Sequence, residues 1–387
     1  MKMITKIMKR EFIRISERRT LYTLSIMFPV FLFLIFAFIY KNELVSDLPI
    51  AIYDADGSRL SQTVVRFAES SSSMKIEKHC VSLNELKEEF LNGTIQGAFY
   101  IPDNFEKDVK SGKPSSIIVY KNSSNVIISN LILKEGTTIV KTVSAGALMK
   151  KLRATGMMEE QAMHYIQPIK IETQSLFNPN YSYLSYLFPG LALFTLQMLI
   201  MISAVVVISS EFTHDTFPEL LKIADNKLGI ILLGKALPHF LINASTVMLI
   251  AGILFPMFNI KVYGSITFVI LFMLYFVAAC LAVGLFISSL FHNQLLATEI
   301  AVFLNTPAFI FSGFTFPLWG MPFATIVYAQ FLPLTHFMSG LIKIYQMDAP
   351  IIDVLPEIGY LSIFLFGSIL LTIPALKYHV KKYYPGN

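Results

Sequence analysis

A short segment with two glycines is the first candidate for a ligand-binding or catalytic site in this chain. Residues Gly229–Ala236 read GIILLGKA, which matches the G-x-x-x-x-G-K spacing of a phosphate-binding loop. In such a loop, backbone N–H groups and the lysine hold the phosphates, and a hydroxyl after the lysine binds magnesium. Here that position is Ala236, the intervening residues are large aliphatics, and no strand pattern precedes them. We therefore expect no nucleotide or other cofactor on this chain and no ATPase of its own.

Two other groups of residues have the types that ligate metals. Asp54 and Asp56 are two positions apart, and His79 stands beside Cys80. A zinc site needs three or four ligands, and nothing supplies the missing ones at a suitable spacing. Turn formation by the aspartates and ordinary packing of the second pair are therefore favoured. Since no hydrolase or zinc-protease motif is present either, we predict that the chain binds no metal and is not an enzyme.

Two ionisable residues lie deep in apolar sequence. Glu299 and His239 are candidates for a transport path, because a charge buried in lipid is costly and usually functional. Both lie about one turn from the predicted inner ends of their spans, so snorkelling to the headgroups explains them equally well. The amides of Gln197, Asn243 and Asn305 are expected to bond neighbouring helices.

The composition is that of an integral membrane protein. Hydrophobic residues make up 54% of the 387 and charged residues 15%, with a mean hydropathy of +0.60. Soluble domains carry about 25% charged residues. The formal net charge of +5 is best explained by membrane-facing ends, since no basic stripe with interleaved aromatics lies outside the N-terminus. We expect a lipid bilayer, and no nucleic acid, as the surroundings of this chain.

The N-terminal part predicts an amphipathic helix followed by a span. Residues 1–20 carry apolar side chains at helical spacing among lysines and arginines, which is typical of a helix lying on the cytoplasmic leaflet. Residues 21–40 are uncharged and long enough to cross the hydrocarbon core, and the basic excess puts the N-terminus inside. The apolar run exceeds a signal-peptide core and no cleavage site follows, so we expect a retained first span.

Residues 41–185 predict a small α/β domain outside the membrane. Their acidic and basic side chains are balanced, and no apolar run is of spanning length. Strands are predicted at Pro49–Tyr53, Met74–Cys80, Gln96–Ile101, Ser116–Tyr120 and, returning, Gln167–Phe177. Helices are predicted at Ser58–Ser70, Ser82–Leu91, Asp103–Ser111 and Asn125–Gly156. Ser82 and Glu85 have the spacing of a capping box, and the alternation of strands with helices indicates an α/β fold.

The C-terminal half, residues 186–376, predicts a five-span permease domain. The spans are expected at 186–208, 236–258, 265–290, 295–313 and 357–376. Lysines in the tail 377–387 put the C-terminus in the cytoplasm as well. Residues 314–351 are apolar but broken by prolines, which favours short helices that re-enter the outer membrane face. The predicted fold is a membrane all-α protein of six transmembrane helices, with an inserted extracytoplasmic α/β domain and re-entrant outer helices before the last span.

The polar connection 209–235 predicts a short helix with one apolar side. Apolar and acidic or hydroxyl residues alternate along it, at Glu211, Phe212, Asp215, Thr216, Phe217, Leu220 and Leu221. Such a helix either lies passively in the headgroup plane or contacts a soluble partner.

Two groups of motifs give the chain a family resemblance. Asn178-Pro179 precedes the second span, and Pro189-Gly190 lies at its start. Around the fifth span the chain reads Ser312-Gly313, Phe316-Pro317 and Met321-Pro322, followed by Pro333-Leu334-Thr335. This order resembles the membrane subunit of type-2 ABC exporters, in the branch with a large extracytoplasmic domain after the first span. The resemblance covers essentially the whole chain in layout.

The resemblance implies partners and roles. Glu211–Asn226 would be the coupling helix, seated in a separate ABC ATP-binding subunit that holds ATP and magnesium. A second permease subunit, identical or sibling, would complete the export path. The outer re-entrant gate would include Ser312, Gly313, Pro317, Met321, Pro322 and Pro333. In the family's E-R-E-x-G-T-like run, Glu211 and Thr216 match, whereas the arginine and glycine have no counterpart.

Three functions are open to a chain with these features. The first is a permease subunit that exports a hydrophobic or amphiphilic cargo across the bacterial inner membrane, with a periplasmic adaptor protein as an open further partner. The second is a membrane receptor or assembly scaffold that uses residues 41–185 without transport. The third, a secondary transporter, is disfavoured because no span carries the paired ionisable residues of an ion relay.

Overall fold

The computed structural model describes residues 2–40, 46–166, 176–178 and 182–384 of the 387. The chain forms two compact units. One combines Met1–Lys41 with Tyr183–Asn387, and the other is Asn42–Ser182. We call them the helical unit and the α/β unit.

The helical unit begins with an amphipathic helix and a longer apolar one. Helix α1 covers Lys2–Glu17, and its buried residues Ile7, Glu11 and Ile15 share one face because they are four positions apart. Helical backbone then runs from Arg19 to Ile39, as α2 (Arg19–Tyr22), a π-helical turn and α3 (Phe28–Ile39). Its apolar part, Ser25–Ile39, is shorter than the predicted first span.

The α/β unit alternates strands and helices along the chain. Its elements are β1 (Leu48–Asp54), α4 (Arg59–Glu69), β2 (Met74–His79), α5 (Leu83–Asn92), β3 (Gly97–Ile101), α6 (Phe105–Ser111), β4 (Ile118–Lys121), α7 (Val126–Ala154) and α8 (Glu159–Ile166). The first four predicted strands are confirmed to within two residues at each end. The fifth, Gln167–Phe177, lies almost wholly outside the described residues.

The four strands form one sheet in the order β2-β1-β3-β4. Strand β1 is parallel to β2 and β3, and β4 is antiparallel to β3. Side chains alternate between two apolar clusters, so that Ile50 and Ile52 of β1 belong to one cluster and Ala51 to the other. This alternation explains why the strands could be predicted from their sequence.

Local hydrogen bonds set the helix starts and the first turn of this unit. Ser82 Oγ accepts from the Glu85 N–H at 3.2 Å, as the capping box predicts. The Glu85 carboxylate accepts from the Val81 N–H at 2.8 Å, one residue before the cap. Asp54 Oδ1 accepts from the Asp56 N–H at 3.1 Å, which is the turn chemistry expected of this pair.

Long apolar helices make up most of the helical unit. They are α9 (Tyr183–Thr213), the short α10 (Phe217–Ala224), α11 (Leu228–Leu249) with a π-helical turn and α12 (Phe255–Met257), and α13 (Ile266–Leu290). The remaining helices are α14 (Gln294–Asn305), α15 (Ala308–Phe311), α16 (Phe323–Gln330), α17 (Pro333–Tyr345), α18 (Leu355–Ser362) and α19 (Ser368–Tyr383).

Among the described residues, five helices are long and apolar enough to cross a membrane. They are Leu184–Thr213, Leu228–Met257, Ile266–Leu290, Gln294–Phe311 and Ile351–Tyr383. Each overlaps one of the five predicted C-terminal spans. The predicted first span, residues 21–40, overlaps the helical stretch Arg19–Ile39, whose apolar part, Ser25–Ile39, is shorter than these five helices.

The proline-broken region between the last two spans consists of short helices. Helices α16 and α17 meet at a bend of 83°. Pro322 and Pro333 lie at the starts of these two helices, where the missing N–H costs no intrahelical hydrogen bond.

Buried amides connect some of the long helices. The Gln197 side-chain amide on α9 donates to Asn305 Oδ1 on α14 at 2.9 Å, as expected of an interhelical bond. The Asn243 amide instead donates to the His239 carbonyl of its own helix, so the interhelical expectation for Asn243 is wrong. A buried amide can be satisfied by the preceding turn as well as by a neighbouring helix.

Candidate functional site

Helix α1 lies directly on α11. A Cβ atom on Gly234 would stand 2.7 Å from Cβ and Cγ2 of Ile7, so glycine at this position permits the close approach of the two helices. Ile7 is fully buried by this contact. The interpretation of residues 1–20 as a helix lying on lipid misses this contact. An apolar helix face fits a groove in a protein and a headgroup layer equally well.

The GIILLGKA segment forms the first turns of α11. Lys235 follows Gly234 and lies in the same contact with α1. Its ammonium donates to Glu11 Oε2 at 2.6 Å and also to Glu211 Oε1. The Lys235 side chain is only 1% exposed. Lys235, which stands at the position of the lysine in the phosphate-binding motif, is therefore paired with two carboxylates of its own chain.

Glu211, on the last turn of α9, is the centre of a group of charged side chains, which we call the ionic cluster. The Arg10 guanidinium donates to both of its oxygens, at 2.8 and 3.1 Å. Arg14 and Thr216 donate to it as well, in addition to Lys235. A bidentate arginine fixes the orientation of a carboxylate more tightly than a single bond does.

Glu11 is the second buried carboxylate and is supplied by α1. His239 Nε2, on α11, lies 3.0 Å from Glu11 Oε1. Burial opposes ionisation of Glu11, but the Lys235 ammonium, the His239 hydrogen bond and Arg14 together outweigh it and lower its pKa to about 2. Glu11 is therefore an anion within an otherwise apolar helix face.

The ionic cluster contains three cationic side chains and three carboxylates, supplied by four helices. Its cations and carboxylates are Arg10, Arg14, Lys235, Glu11, Glu211 and Glu219. Glu219 belongs to α10, is 67% exposed at its side chain, and lies 3.3 Å from Arg10. Since removal of one partner would leave uncompensated buried charge, α1, α9, α10 and α11 are held together as one body at this end of the unit.

A group of aromatic rings continues the contact toward the C-terminal helix. The ring centroid of Phe212 lies 4.7 Å from that of Phe217 and 4.2 Å from that of His379 on α19. The Tyr384 hydroxyl donates to Asp215 Oδ1 at 3.4 Å. The turn before α10 is therefore attached to the end of α19 as well as to α1.

The predicted coupling residues divide into a buried set and an outer set. Five are buried inside the helical unit: Glu211, Phe212, Phe217, Leu220 and Leu221. Asp215 is exposed and Thr216 is half-buried. The exposed residues of α10 and its C-cap are Glu219, Lys222 and Asp225. The apolar residues thus fix α10 in place, and its polar side faces outward.

The predicted gate residues lie at the ends of the short helices α15 to α17. Their positions are the C-cap of α15 (Ser312), a residue with a φ of +84° (Gly313), the residues around the 3-10 turn before α16 (Pro317, Met321, Pro322) and the first residue of α17 (Pro333). A Cβ atom on Gly190 of α9 would overlap the ring of Phe314. The motifs around the second and fifth spans therefore contact each other.

The two candidate path residues do not lie together. His239 is fully buried and belongs to the ionic cluster through Glu11. Glu299 is exposed on α14. The structure thus assigns His239 to the contact between α1 and α11 and leaves Glu299 apart from it.

Sequence reasoning misses the roles of Arg10, Glu11, Arg14 and Lys235. One usable signal is present, because Glu11 interrupts the apolar face of α1 between Ile7 and Ile15. A carboxylate at such a position needs a buried cation. The sequence does not reveal which cation, since Lys235 is more than two hundred residues away.

Helices of spanning length, together with the family match, define the chain as a multi-pass membrane protein of the transporter class. It belongs to the ABC-2 family of transporter proteins, whose family model matches residues 18–373. The family expected from the sequence motifs, the permease subunit of type-2 ABC transporters, is thereby confirmed.

Two curated relatives of the chain are ABC transporter permeases. The chain is 24% identical over 312 residues to the probable multidrug ABC transporter permease YbhR of Escherichia coli (strain K12), which covers 79% of each chain. It is 23% identical over 190 residues to the probable multidrug ABC transporter permease YbhS of the same organism, which covers 48% of this chain. That alignment spans 50% of the length of YbhS.

Proposed function

We propose that this chain is the permease subunit of an ATP-driven exporter. A separate ABC ATP-binding subunit, which holds ATP and magnesium, supplies the energy, and the permease moves a hydrophobic or amphiphilic cargo outward. Membership of the ABC-2 family supports the transport role, and the multidrug description of YbhR and YbhS supports this class of cargo.

One observation carries the proposal: α10 is packed against the helical unit on its inner side and exposed on its outer side. Phe217, Leu220 and Leu221 are buried, whereas Lys222 and Asp225 are exposed. A push on the outer side of α10 would pass through the ionic cluster to α1, α9 and α11 together. Such a rigid connection can convert closure of a partner into rocking of the spans.

The distribution of charge supports a proposed orientation of the chain in the membrane. Lysines and arginines lie on α1 and at the end of α19, at the same end of the helical unit as α10. We place this end and both termini in the cytoplasm of a bacterium, in the inner membrane. The α/β unit would then lie outside, and α16 and α17 would form a re-entrant pair at the outer face, covered by a second permease subunit.

Charge reversal on the outer side of α10 tests the coupling. The double variant Lys222→Glu/Asp225→Lys keeps the net charge and leaves every buried residue of α10 unchanged. We expect it to abolish stimulation of the ATP-binding subunit by the permease, measured as phosphate release in reconstituted vesicles. Lys261→Glu is the matched control, because Lys261 is an exposed lysine in the loop before α13, at the opposite end of the unit.

Full stimulation in the double variant, with a gel-filtration profile like that of the wild type, would refute the coupling role of α10. If no ABC ATP-binding subunit co-purifies with the wild-type chain after gentle solubilisation, the receptor or scaffold function is favoured instead. Transport that stops when a proton gradient is collapsed at constant ATP would favour a secondary transporter.

A further inference from the structure

An apolar cavity opens on the surface of the helical unit between α11, α13 and α19. Its volume is about 370 Å³. Small residues create the space, among them Gly229 on α11 and the pair Ala278 and Ala282 on α13. The exposed side chains of Leu233 and Ile369 lie at its mouth. Since α11, α13 and α19 lie in helices of spanning length, we place this mouth in the hydrocarbon region of the bilayer.

A second cavity, of about 710 Å³, adjoins the first and is basic. Gly229 and Ile373 line both cavities, so the two spaces are immediate neighbours. Lys377 and Lys381 line the second cavity. Within the described part of the chain, neither lysine has a hydrogen bond or an ion pair. Two unpaired ammonium groups thus stand at one end of an apolar groove.

Residues of the C-terminal spanning helix line the two cavities in turn. Leu365, Ile369 and Ile373 line the apolar cavity, and Ile373, Lys377 and Lys381 line the basic one. At about 1.5 Å per residue, the apolar part from Leu365 to Ile373 is about 12 Å long, close to the roughly 15 Å of hydrocarbon in one leaflet. The lysines then begin at the depth of the headgroups.

From this arrangement we infer that the two adjoining cavities together form a binding site for an anionic glycerophospholipid. Its phosphate contacts Lys377 and Lys381, and one acyl chain lies in the groove past Gly229. An anionic amphiphile matches both halves of the site, and a bilayer holds phospholipids at high local concentration beside it. The two lysines favour a net negative headgroup over a zwitterionic one. The inference requires a membrane-embedded helical unit and does not depend on the proposed export function.

Lipid binding to the detergent-purified full-length chain tests the site. Affinities are measured by native mass spectrometry for phosphatidylglycerol and for phosphatidylcholine with the same acyl chains. A juxtamembrane lysine contributes about fivefold in affinity, so Lys377→Gln/Lys381→Gln should weaken phosphatidylglycerol binding by about 25-fold. The preference for phosphatidylglycerol should fall with rising salt concentration. Lys382→Gln, on the same helix but outside both cavities, should leave it unchanged.

The groove is tested separately by filling it. A Cβ atom on Gly229 would meet nothing within 4 Å, so Gly229→Phe enters the free space without a backbone clash. It should weaken binding of both lipids, whereas Gly359→Phe, at an exposed glycine with equally open surroundings, should not. Gel filtration of each variant checks its folding, and the lysine variants provide an independent test.

Three results would overturn the inference. Equal affinities for the two lipids in the wild type would exclude a role for the lysines in headgroup recognition. Competition by inorganic phosphate as strong as by the whole lipid would indicate a free-anion site. If the double lysine variant keeps its lipid affinity but loses a co-purifying ATP-binding subunit, the basic cavity is a protein contact.

Discussion

Replacement of Glu211 by glutamine is the sharpest test of the ionic cluster, because it removes one buried charge and nearly conserves the side-chain shape. The variant leaves Arg10, Arg14 and Lys235 with one buried carboxylate. Breaking a buried charge pair costs about 3–5 kcal/mol. We expect the lower end, about 3 kcal/mol, since Lys235 keeps Glu11 and the Arg10 side chain is 27% exposed to water.

The measurement is the apparent Tm of the detergent-solubilised full-length chain. For a unit of this size, 1 kcal/mol corresponds to about 2–4 °C, so Glu211→Gln should lower the apparent Tm by about 6–12 °C. Glu219→Gln is the matched control, because Glu219 also contacts Arg10 but is 67% exposed at its side chain. An exposed ion pair contributes at most about 1 kcal/mol, and the control should shift the Tm by less than about 4 °C.

A double variant separates pairing from simple loss of packing. Glu211→Gln/Lys235→Met removes one negative and one positive charge, so its destabilisation should be smaller than the sum of the two single effects by at least about 1 kcal/mol. The reasoning is refuted if Glu211→Gln shifts the apparent Tm no more than Glu219→Gln does. It is also refuted if the two single effects are additive.

Three further predictions use the same thermal assay. The pKa of Glu11 is lowered from 4.5 to about 2. Its contribution of about 3 kcal/mol is therefore present above pH 4.5 and lost as the pH falls toward 2. Near pH 3 the wild-type chain should have lost about 2 kcal/mol of its free energy of unfolding, and Glu11→Gln should not show this loss. Equal dependences of the apparent Tm on pH in the two proteins would contradict the prediction. Gly234→Ala should destabilise the chain by about 1–3 kcal/mol because α1 must shift, whereas Gly229→Ala, which meets nothing within 4 Å, should be neutral or stabilising by up to about 1 kcal/mol. Gln197→Leu removes the bond to Asn305 and should cost about 1 kcal/mol, with Asn305→Leu giving a similar loss and the double variant less than their sum.

Much of the architecture is determined locally and could be predicted from the sequence. A bilayer demands about 20 consecutive apolar residues from each span, and a run of that length is visible without any knowledge of neighbours. Strand alternation around Ile50 and Ile52 and the cap at Ser82 are equally local, since the interacting groups lie within a few residues. The motifs around Gly190 and Gly313 sufficed for the family, although not for their contact in space.

Tertiary structure alone determines which charges meet in the ionic cluster and which face of each helix is buried. Arg10 and Glu211 are 201 positions apart, and no local pattern links them. Their pairing depends on how closely α1 approaches α11, which the missing side chain of Gly234 permits. The same packing buries Leu220, exposes Lys222 and leaves the groove beside Gly229 open. Periodicity indicates that a helix has two faces, but only the packed neighbours determine which face is covered and which charges meet.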